Sequence, residues 1–98
     1  MTINKTQNGN ALTIALEGRL DTVTSPELEK ELKDSLDAIE TLTLDFSKLD
    51  YISSAGLRVL LYAQKAMYGK GSMKVTHCNE IVMEVFEVTG FADVLTIE

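Results

Sequence analysis

The chain has 98 residues, a length that fits one domain built around a single hydrophobic core. Hydrophobic residues make up 45 % and charged residues 24 % of the sequence, which is typical of a globular protein and excludes a disordered or fibrous one. The 9 basic residues against 15 acidic ones leave a formal net charge of −6, which disfavours nucleic acid and anionic membrane surfaces as partners. We predict one domain over residues 1–98.

Targeting and membrane signals are the next feature of the sequence. The first residues lack the basic and apolar regions of a secretory signal, and no apolar run approaches the ~20 residues that span a bilayer. The single cysteine, Cys78, cannot form an internal disulfide, which fits a reducing compartment. We therefore expect a cytoplasmic protein without direct membrane insertion.

The first quarter of the chain has the pattern of a β-hairpin. A strand over residues 2–7 is followed by Asn-Gly at residues 8–9, a pair that suits a two-residue turn. Apolar and polar side chains then alternate over residues 11–16, which is the period of a half-buried strand. Gly18 is expected to close this second strand.

A helix and a strand are predicted next. Ser25 has the position of an N-cap, Pro26 that of the first helical residue, and leucines at helical spacing continue as far as Ile39. The alternation in residues 41–46 indicates a strand with its leucines and phenylalanine facing inward. Residues 47–50 have the composition of a turn.

The second half of the chain predicts two more helices. The first begins at Ser53 or Ser54 and is so apolar that its neighbours must cover most of its sides. The second has Asn79 as its N-cap and ends at Gly90. Strands that alternate with helices favour right-handed crossovers and a largely parallel sheet. The helix, strand, helix and strand of this half span residues 53–68, 73–77, 79–90 and 94–97.

Catalytic and metal-binding patterns are weak in this sequence. His77 and Cys78 are adjacent, and neighbours in a strand point to opposite faces, so they do not readily share one ion. Residues 53–56 precede a helix as a hydrolase nucleophile would, but the upstream glycine is missing and His77 belongs to another element. No glycine-rich phosphate-binding pattern is present. We predict that the protein is not an enzyme and that it needs no metal or cofactor.

Two groups of polar residues could still form a site. Three aspartates, Asp21, Asp45 and Asp50, could converge near the start of the second helix, although turn and cap roles are the interpretation that the sequence favours. Ser53 and Ser54 both begin that helix at a solvent-facing end, whereas capping needs only one hydroxyl. A phosphoryl group here would add about −1.5 to −2 charges, which the helix dipole tolerates and a docked partner would not. The serines therefore predict a phosphorylation switch.

Three segments of the chain resemble a known family. Residues 51–61, Tyr-Ile-Ser-Ser-Ala-Gly-Leu-Arg-Val-Leu-Leu, resemble the helix-start motif of STAS domains, specifically those of bacterial anti-sigma factor antagonists. Residues 16–21 resemble the family's Gly-x-Leu-Asp at the end of the second strand, and residues 85–91 its closing helix and glycine. The resemblance implies an α/β fold with a mixed sheet of four to five strands, an N-terminal hairpin and about three flanking helices. It also implies a regulatory binding protein.

The resemblance further implies a mechanism. Members of this kind bind an anti-sigma factor that is also a serine/threonine kinase with an ATPase fold, and this capture frees the sigma factor and so regulates transcription. Phosphorylation of the motif serine blocks the capture, and a metal-dependent phosphatase of the PP2C type reverses it. By position in the motif the phosphoacceptor is Ser54, with Ser53 as the second choice.

The same motif positions imply a partner-binding surface. Asp21 matches the loop aspartate close to the phosphoacceptor, while Ser53 and Ala55 replace the aspartate and the second hydroxyl residue of the best-known members. The alternative is a subunit or scaffold of a lipid or anion transport system or of a stressosome, in which Ser54 is only a cap and no phospho-switch operates. The residues expected to contact the partner are Asp21, Thr22, Ser53, Ser54, Gly56 and Arg58.

Overall fold

The computed structural model describes residues 1–98 and has one sheet and three α-helices. The predicted α/β class is confirmed, with four strands in the sheet. Two short 3-10 turns follow the first and third helices at Leu36–Ala38 and Phe91–Asp93. The elements in chain order are β1 (Thr2–Asn8), β2 (Ala11–Leu20), α1 (Ser25–Ser35), β3 (Thr41–Ile52), α2 (Ser54–Met67), β4 (Ser72–Thr76) and α3 (Glu80–Thr89).

The sheet is mixed and its strands lie side by side in chain order, β1-β2-β3-β4. β1 pairs with β2 in the antiparallel direction, as the predicted hairpin requires. β2 with β3 and β3 with β4 are parallel, so α1 and α2 are the crossover helices between them. The carboxyl ends of β2 and β3 consequently lie side by side at the same end of the sheet.

The prediction of a strand over residues 94–97 is wrong. The N–H groups of Asp93, Val94 and Leu95 bond back to carbonyls of residues 90 and 91, so this stretch is a tight turn. Only one parallel bridge remains, between Val75 and Ile97. Because the turn uses the backbone donors of its residues, too few extended residues are left to form a fifth strand.

Both central strands run past their predicted ends. Gly18 does not close β2, which continues to Leu20 with a φ of 104° at the glycine. Residues 47–50, expected to form a turn, lie inside β3. The pairing of the two strands shifts register at residues 15–17 and again at residues 18–19. Such bulges absorb extra residues without ending a strand, which explains both errors.

The first helix also differs at its two ends. Ser25 is the first helical residue and Thr24 takes the N-cap position, so the predicted cap at Ser25 is wrong. The Ser25 N–H donates to the Asp21 carbonyl at 2.8 Å, which ties the helix start to the end of β2. The α-helix ends at Ser35, before the predicted limit at Ile39, and a 3-10 turn continues it.

The third helix begins and ends as predicted. Asn79 accepts a hydrogen bond from the Val82 N–H at 2.8 Å, and its amide donates to the Leu49 carbonyl at 2.9 Å. Gly90 has a φ of 83°, the left-handed conformation that ends helices. His77, expected in the preceding strand, lies outside it with a φ of 60°.

The core lies between one face of the sheet and the helices. Alternate residues of β2 and β3 point into it, and residues of β4, of the three helices and of the segments that follow α1 and α3 complete one cluster of 23 buried residues. The other face of the sheet carries polar residues that stay partly exposed, such as Thr13 and Thr43. None of the helices has the length and apolar character that crossing a bilayer requires.

Candidate functional site

The candidate site lies where β2 and β3 end side by side. Leu20 and Ile52, the last residues of these strands, are paired in the parallel register. The Ser53 N–H then donates to the Leu20 carbonyl at 2.9 Å, so the start of α2 is joined to the loop that begins with Asp21. The carboxyl ends of parallel strands are where α/β proteins place their binding sites. Two of the three segments that resemble the family, residues 16–21 and 51–61, are thus neighbours in space.

The two serines at the start of α2 differ in accessibility. Ser54 is the first residue of the helix and is exposed. Ser53 is the N-cap residue, but its Oγ is buried and has no hydrogen-bond partner. The expectation that both hydroxyls face solvent is therefore wrong for Ser53. No side chain caps α2, so neither serine hydroxyl has the capping role that was the alternative to a switch.

Asp21 organises the loop between β2 and α1. Its Oδ1 accepts hydrogen bonds from the N–H groups of Val23 at 3.0 Å and Thr24 at 3.1 Å. The hydrogen bond from the Thr24 N–H, helped by that from Val23, holds the pKa of the Asp21 carboxyl below its ordinary value. The Arg19 Nε lies 3.8 Å from Oδ2. Asp21 thus has the turn role that the sequence favours, beside the start of α2.

The other two aspartates do not join Asp21. The Asp45 Oδ1 accepts from the Ser47 N–H at 2.9 Å and lies 3.5 Å from the His77 Nδ1, at the bulge of β3 beside the end of β4. The Ser47 N–H lowers the pKa of Asp45. Asp50 is exposed and makes no side-chain hydrogen bond. The structure brings together no group of three or more His, Cys, Asp or Glu side chains suited to a metal ion.

Cys78, considered as a metal ligand in the sequence, is a half-buried free thiol. Burial raises the pKa of Cys78 to about 11, so the thiol stays protonated at neutral pH. Since the thiolate is the reactive form, this side chain is a poor nucleophile in the folded protein.

Gly56 is buried inside the first turn of α2. A Cβ atom at this position would lie 2.7 Å from the Ile52 Cγ1 and 2.8 Å from the Leu20 Cγ. The glycine allows the helix to sit closely against the ends of β2 and β3. Because it faces the core, the expected partner contact of Gly56 finds no support in the structure.

A cleft of about 250 Å³ opens between the starts of α1 and α2. Thr22 and Arg58, two of the predicted partner contacts, line it. Sequence reasoning missed Ser25 and Tyr62 in its wall, although Tyr62 follows Arg58 by four residues and so shares its helix face. Arg19 was also missed. Its guanidinium lies over the Tyr51 ring, 4.5 Å from the centroid, and these two residues are cross-strand partners only because of the bulges between β2 and β3.

Comparison with known proteins identifies the family. The STAS domain family model matches residues 2–98, and this chain belongs to that family. BtrV of Bordetella bronchiseptica, a candidate anti-sigma factor antagonist, is 38% identical over 88 residues, which is 88% of this chain and 76% of BtrV. The anti-sigma-B factor antagonist of Bacillus subtilis is 26% identical over 92 residues, 93% of this chain and 84% of that protein.

Solved structures share the same fold. The anti-sigma factor antagonist SpoIIAA in its unphosphorylated form superposes with a TM-score of 0.86 at 17% identity, over 99% of this chain and 88% of that one. SpoIIAA from Bacillus in its phosphorylated form gives a TM-score of 0.78 at 16% identity, over 99% and 91%. At these identities the likeness shows the fold, a mixed four-stranded sheet with three helices.

Proposed function

We propose that this protein is an anti-sigma factor antagonist controlled by phosphorylation of Ser54. Unphosphorylated, it captures an anti-sigma factor and so regulates transcription; phosphorylated, it lets that partner go. The observation that carries the proposal is the exposed Ser54 hydroxyl at an uncapped helix start, in a chain 38% identical to a candidate antagonist. The solved fold relatives include one antagonist in both unphosphorylated and phosphorylated forms.

Accessibility favours Ser54 over Ser53 as the phosphoacceptor. A kinase must bring the acceptor hydroxyl in line with the γ-phosphate of ATP, which requires that the hydroxyl reach solvent. The Ser53 Oγ is buried, and its backbone N–H is bonded to the Leu20 carbonyl, so phosphorylation there would require the start of α2 to open. Ser54 needs no such opening.

The local charge explains how a phosphate would act on binding without harming the fold. The first turn of α2 has no acidic residue and no side-chain cap, so a phosphate on Ser54 would meet the positive end of the helix dipole. The surface around it, with Asp21, Thr22 and Arg58 as proposed contacts, would gain about two negative charges. A partner fitted to the unmodified surface would then face repulsion and a steric obstacle.

The proposal also defines the enzymes that act on the switch. We infer that the captured anti-sigma factor is itself the serine kinase, as the family resemblance implies, and that a PP2C-type phosphatase restores the binding form. The protein itself contributes a surface and an acceptor hydroxyl and does no chemistry. A cytoplasmic location follows from this proposal, because the kinase requires ATP.

Phosphorylation by purified kinases tests the proposal. Each anti-sigma factor kinase encoded in the source genome is incubated with the protein and Mg-ATP, and the intact mass and the modified residue are determined by mass spectrometry. We expect one phosphoryl group on Ser54, none in Ser54→Ala and unchanged modification in Ser53→Ala. Modification of Ser53 would move the site, and no modification by any of the kinases would favour a transporter subunit or a stressosome scaffold.

A further inference from the structure

The outward side of α3 carries apolar side chains that the core does not cover. Six of its ten residues have large apolar side chains, but only Val82 and Phe86 are fully buried. Ile81 is 56% exposed and Val88 is 76% exposed, whereas Val85 between them packs against the core. Because these three residues are spaced i, i+4 and i+7, they form one apolar row along two helical turns.

The fold does not account for the two exposed residues of this row. β-branched residues have a lower helix propensity than alanine, because the helix restricts their χ1 freedom. The exposure of Ile81 and Val88 also leaves much of their apolar surface in water. By contrast, α1 exposes no large apolar side chain and α2 exposes only Tyr62, at 36%. An exposed apolar row on one helix thus indicates contact with a partner.

An acidic row runs beside the apolar row. Glu80, Glu84 and Glu87 each precede one member of the apolar row, and all three are exposed and outside the ion pairs of the chain. Like charges at this spacing repel each other, so the row does not serve the stability of the helix. Residues 75–98 contain no lysine or arginine and have a formal charge of −5, against −6 for the whole chain. The two rows together form what we call the α3 surface.

The combination of the two rows is particular to α3. Exposed charges without ion pairs also occur on the other helices, Lys30 and Lys65 among them. On α1, however, lysines alternate with the acidic residues, and no exposed apolar row accompanies them. An apolar row flanked by charges of one sign is the pattern by which helices select partner helices, because the apolar row packs and the charges decide which partner fits.

Charge decides which occupant fits the α3 surface. A second copy would bring the same glutamates against it, and anionic lipid or nucleic acid would be repelled in the same way. A helix whose apolar row is flanked by lysine or arginine satisfies both rows at once. We propose that the α3 surface docks a basic amphipathic helix of a partner protein. The surface contains neither Ser54 nor any other predicted partner contact, so this docking is separate from the phosphorylation switch.

Titration of the whole ¹⁵N-labelled protein with a model peptide tests this proposal. The peptide is a capped, alanine-rich helix of about 18 residues, with leucines spaced i, i+4 and i+7 and lysines beside them. We expect saturable binding with a Kd below about 1 mM and chemical-shift changes concentrated in the backbone amides of residues 80–88. A peptide with the same residues in scrambled order should bind at least about tenfold more weakly, and one with glutamate in place of lysine should not bind.

Variants separate the two rows from a general charge effect. The double variant Ile81→Ala with Val88→Ala should weaken binding about tenfold, because it removes the exposed part of the apolar row. Glu84→Gln should weaken binding about threefold at low salt, and the difference should shrink as salt is added. Glu27→Gln on α1 and Tyr68→Ala after α2 are the matched controls, since both residues are exposed outside the α3 surface, and they should leave the affinity unchanged.

Urea denaturation determines whether the apolar row serves binding or the fold. The double variant should keep the native spectrum and a midpoint no lower than that of the wild type, because alanine has the higher helix propensity. Val88→Ala alone, at the more exposed position, should weaken peptide binding about threefold with an unchanged midpoint. A large loss of stability in Val88→Ala would place the row in the core and overturn the proposal.

Three results of the titration would also overturn it: shift changes spread over all acidic surfaces, equal affinity of the double variant, or equal binding of the glutamate peptide. Shifts at residues 80–88 that grow with protein concentration in the absence of peptide would instead make α3 an interface between copies of this chain. The titration contains neither kinase nor anti-sigma factor, so its result is independent of the phosphorylation assay.

Discussion

At the scale of single residues, the two serines that begin α2 have different environments. The Ser54 hydroxyl is available to solvent, while the Ser53 hydroxyl is buried without a hydrogen-bond partner. A sequence motif alone does not separate them, since both lie at the start of the same helix. Of the two residues, only Ser54 has the exposure that the proposed phosphoacceptor requires.

This difference predicts that two matched substitutions have different effects on stability. Ser53→Ala removes an unpartnered buried hydroxyl and should raise the free energy of unfolding by up to ~1 kcal/mol. Ser54→Ala removes an exposed group that caps nothing and should change it by less than about 0.5 kcal/mol. Urea denaturation of both variants at pH 7 measures the pair. A larger loss in Ser54→Ala would show that its hydroxyl is a cap after all.

The lowered pKa of Asp21 predicts that its contribution to the stability of the protein decreases at low pH. Its folded pKa is lowered by the hydrogen bonds from residues 23 and 24. Its contribution is therefore present above the unfolded pKa, near ~4, and is lost as the pH falls through the lowered folded value. In urea denaturation, Asp21→Asn should be less stable than the wild type at pH 7, with the difference shrinking below pH ~4. A constant difference, or the same behaviour in the exposed control Asp50→Asn, would contradict this role.

At the scale of elements, the close fit of α2 against the ends of β2 and β3 depends on Gly56. Gly→Ala in a helix is ordinarily stabilising by roughly 0.5–1 kcal/mol. Here the added Cβ would overlap the side chains of Leu20 and Ile52, so Gly56→Ala should instead destabilise by about 1–3 kcal/mol. Ser54→Ala, an exposed change in the same helix turn, is the control. A stabilised Gly56→Ala would mean that the helix start is loosely packed.

The elements also show how far the sequence predicts this fold. The hairpin and the Asn79 cap follow from local rules, because adjacent residues carry the signal. The lengths of β2 and β3 do not, since their bulges arise from pairing between strands distant in sequence. The strand predicted over residues 94–97 does not form, because the backbone N–H groups of residues 93–95 close a turn.

The candidate site, like the fold, is only partly predictable from the sequence. The motif resemblance implies that Asp21 lies close to Ser54, and the hydrogen bond from the Ser53 N–H to the Leu20 carbonyl joins the segments that contain them. The cleft was not predictable, because its walls come from two helices whose packing only the folded chain defines. Ser25 in particular has the sequence signature of an N-cap, yet its side chain is buried in the cleft wall without that role.

At the scale of the whole molecule, the helices cover one face of the sheet. The candidate site lies at the carboxyl ends of β2 and β3, away from most of the core. A change of charge at Ser54 should therefore leave the fold intact. We predict that Ser54→Asp keeps the native spectrum and gains at most ~1 kcal/mol of stability from the helix dipole. Circular dichroism and urea denaturation measure this. An unfolded variant would show that Ser54 supports the fold and is unsuited to a switch.

The affinity of the anti-sigma factor for the two forms of this protein tests the proposed switch directly. The protein phosphorylated on Ser54 and the unmodified protein are titrated side by side into the purified anti-sigma factor by isothermal calorimetry. We predict that phosphorylation weakens binding at least about a hundredfold, corresponding to roughly 2.7 kcal/mol of repulsion and lost contacts. Equal affinity of the two forms would contradict it and leave Ser54 without a regulatory role.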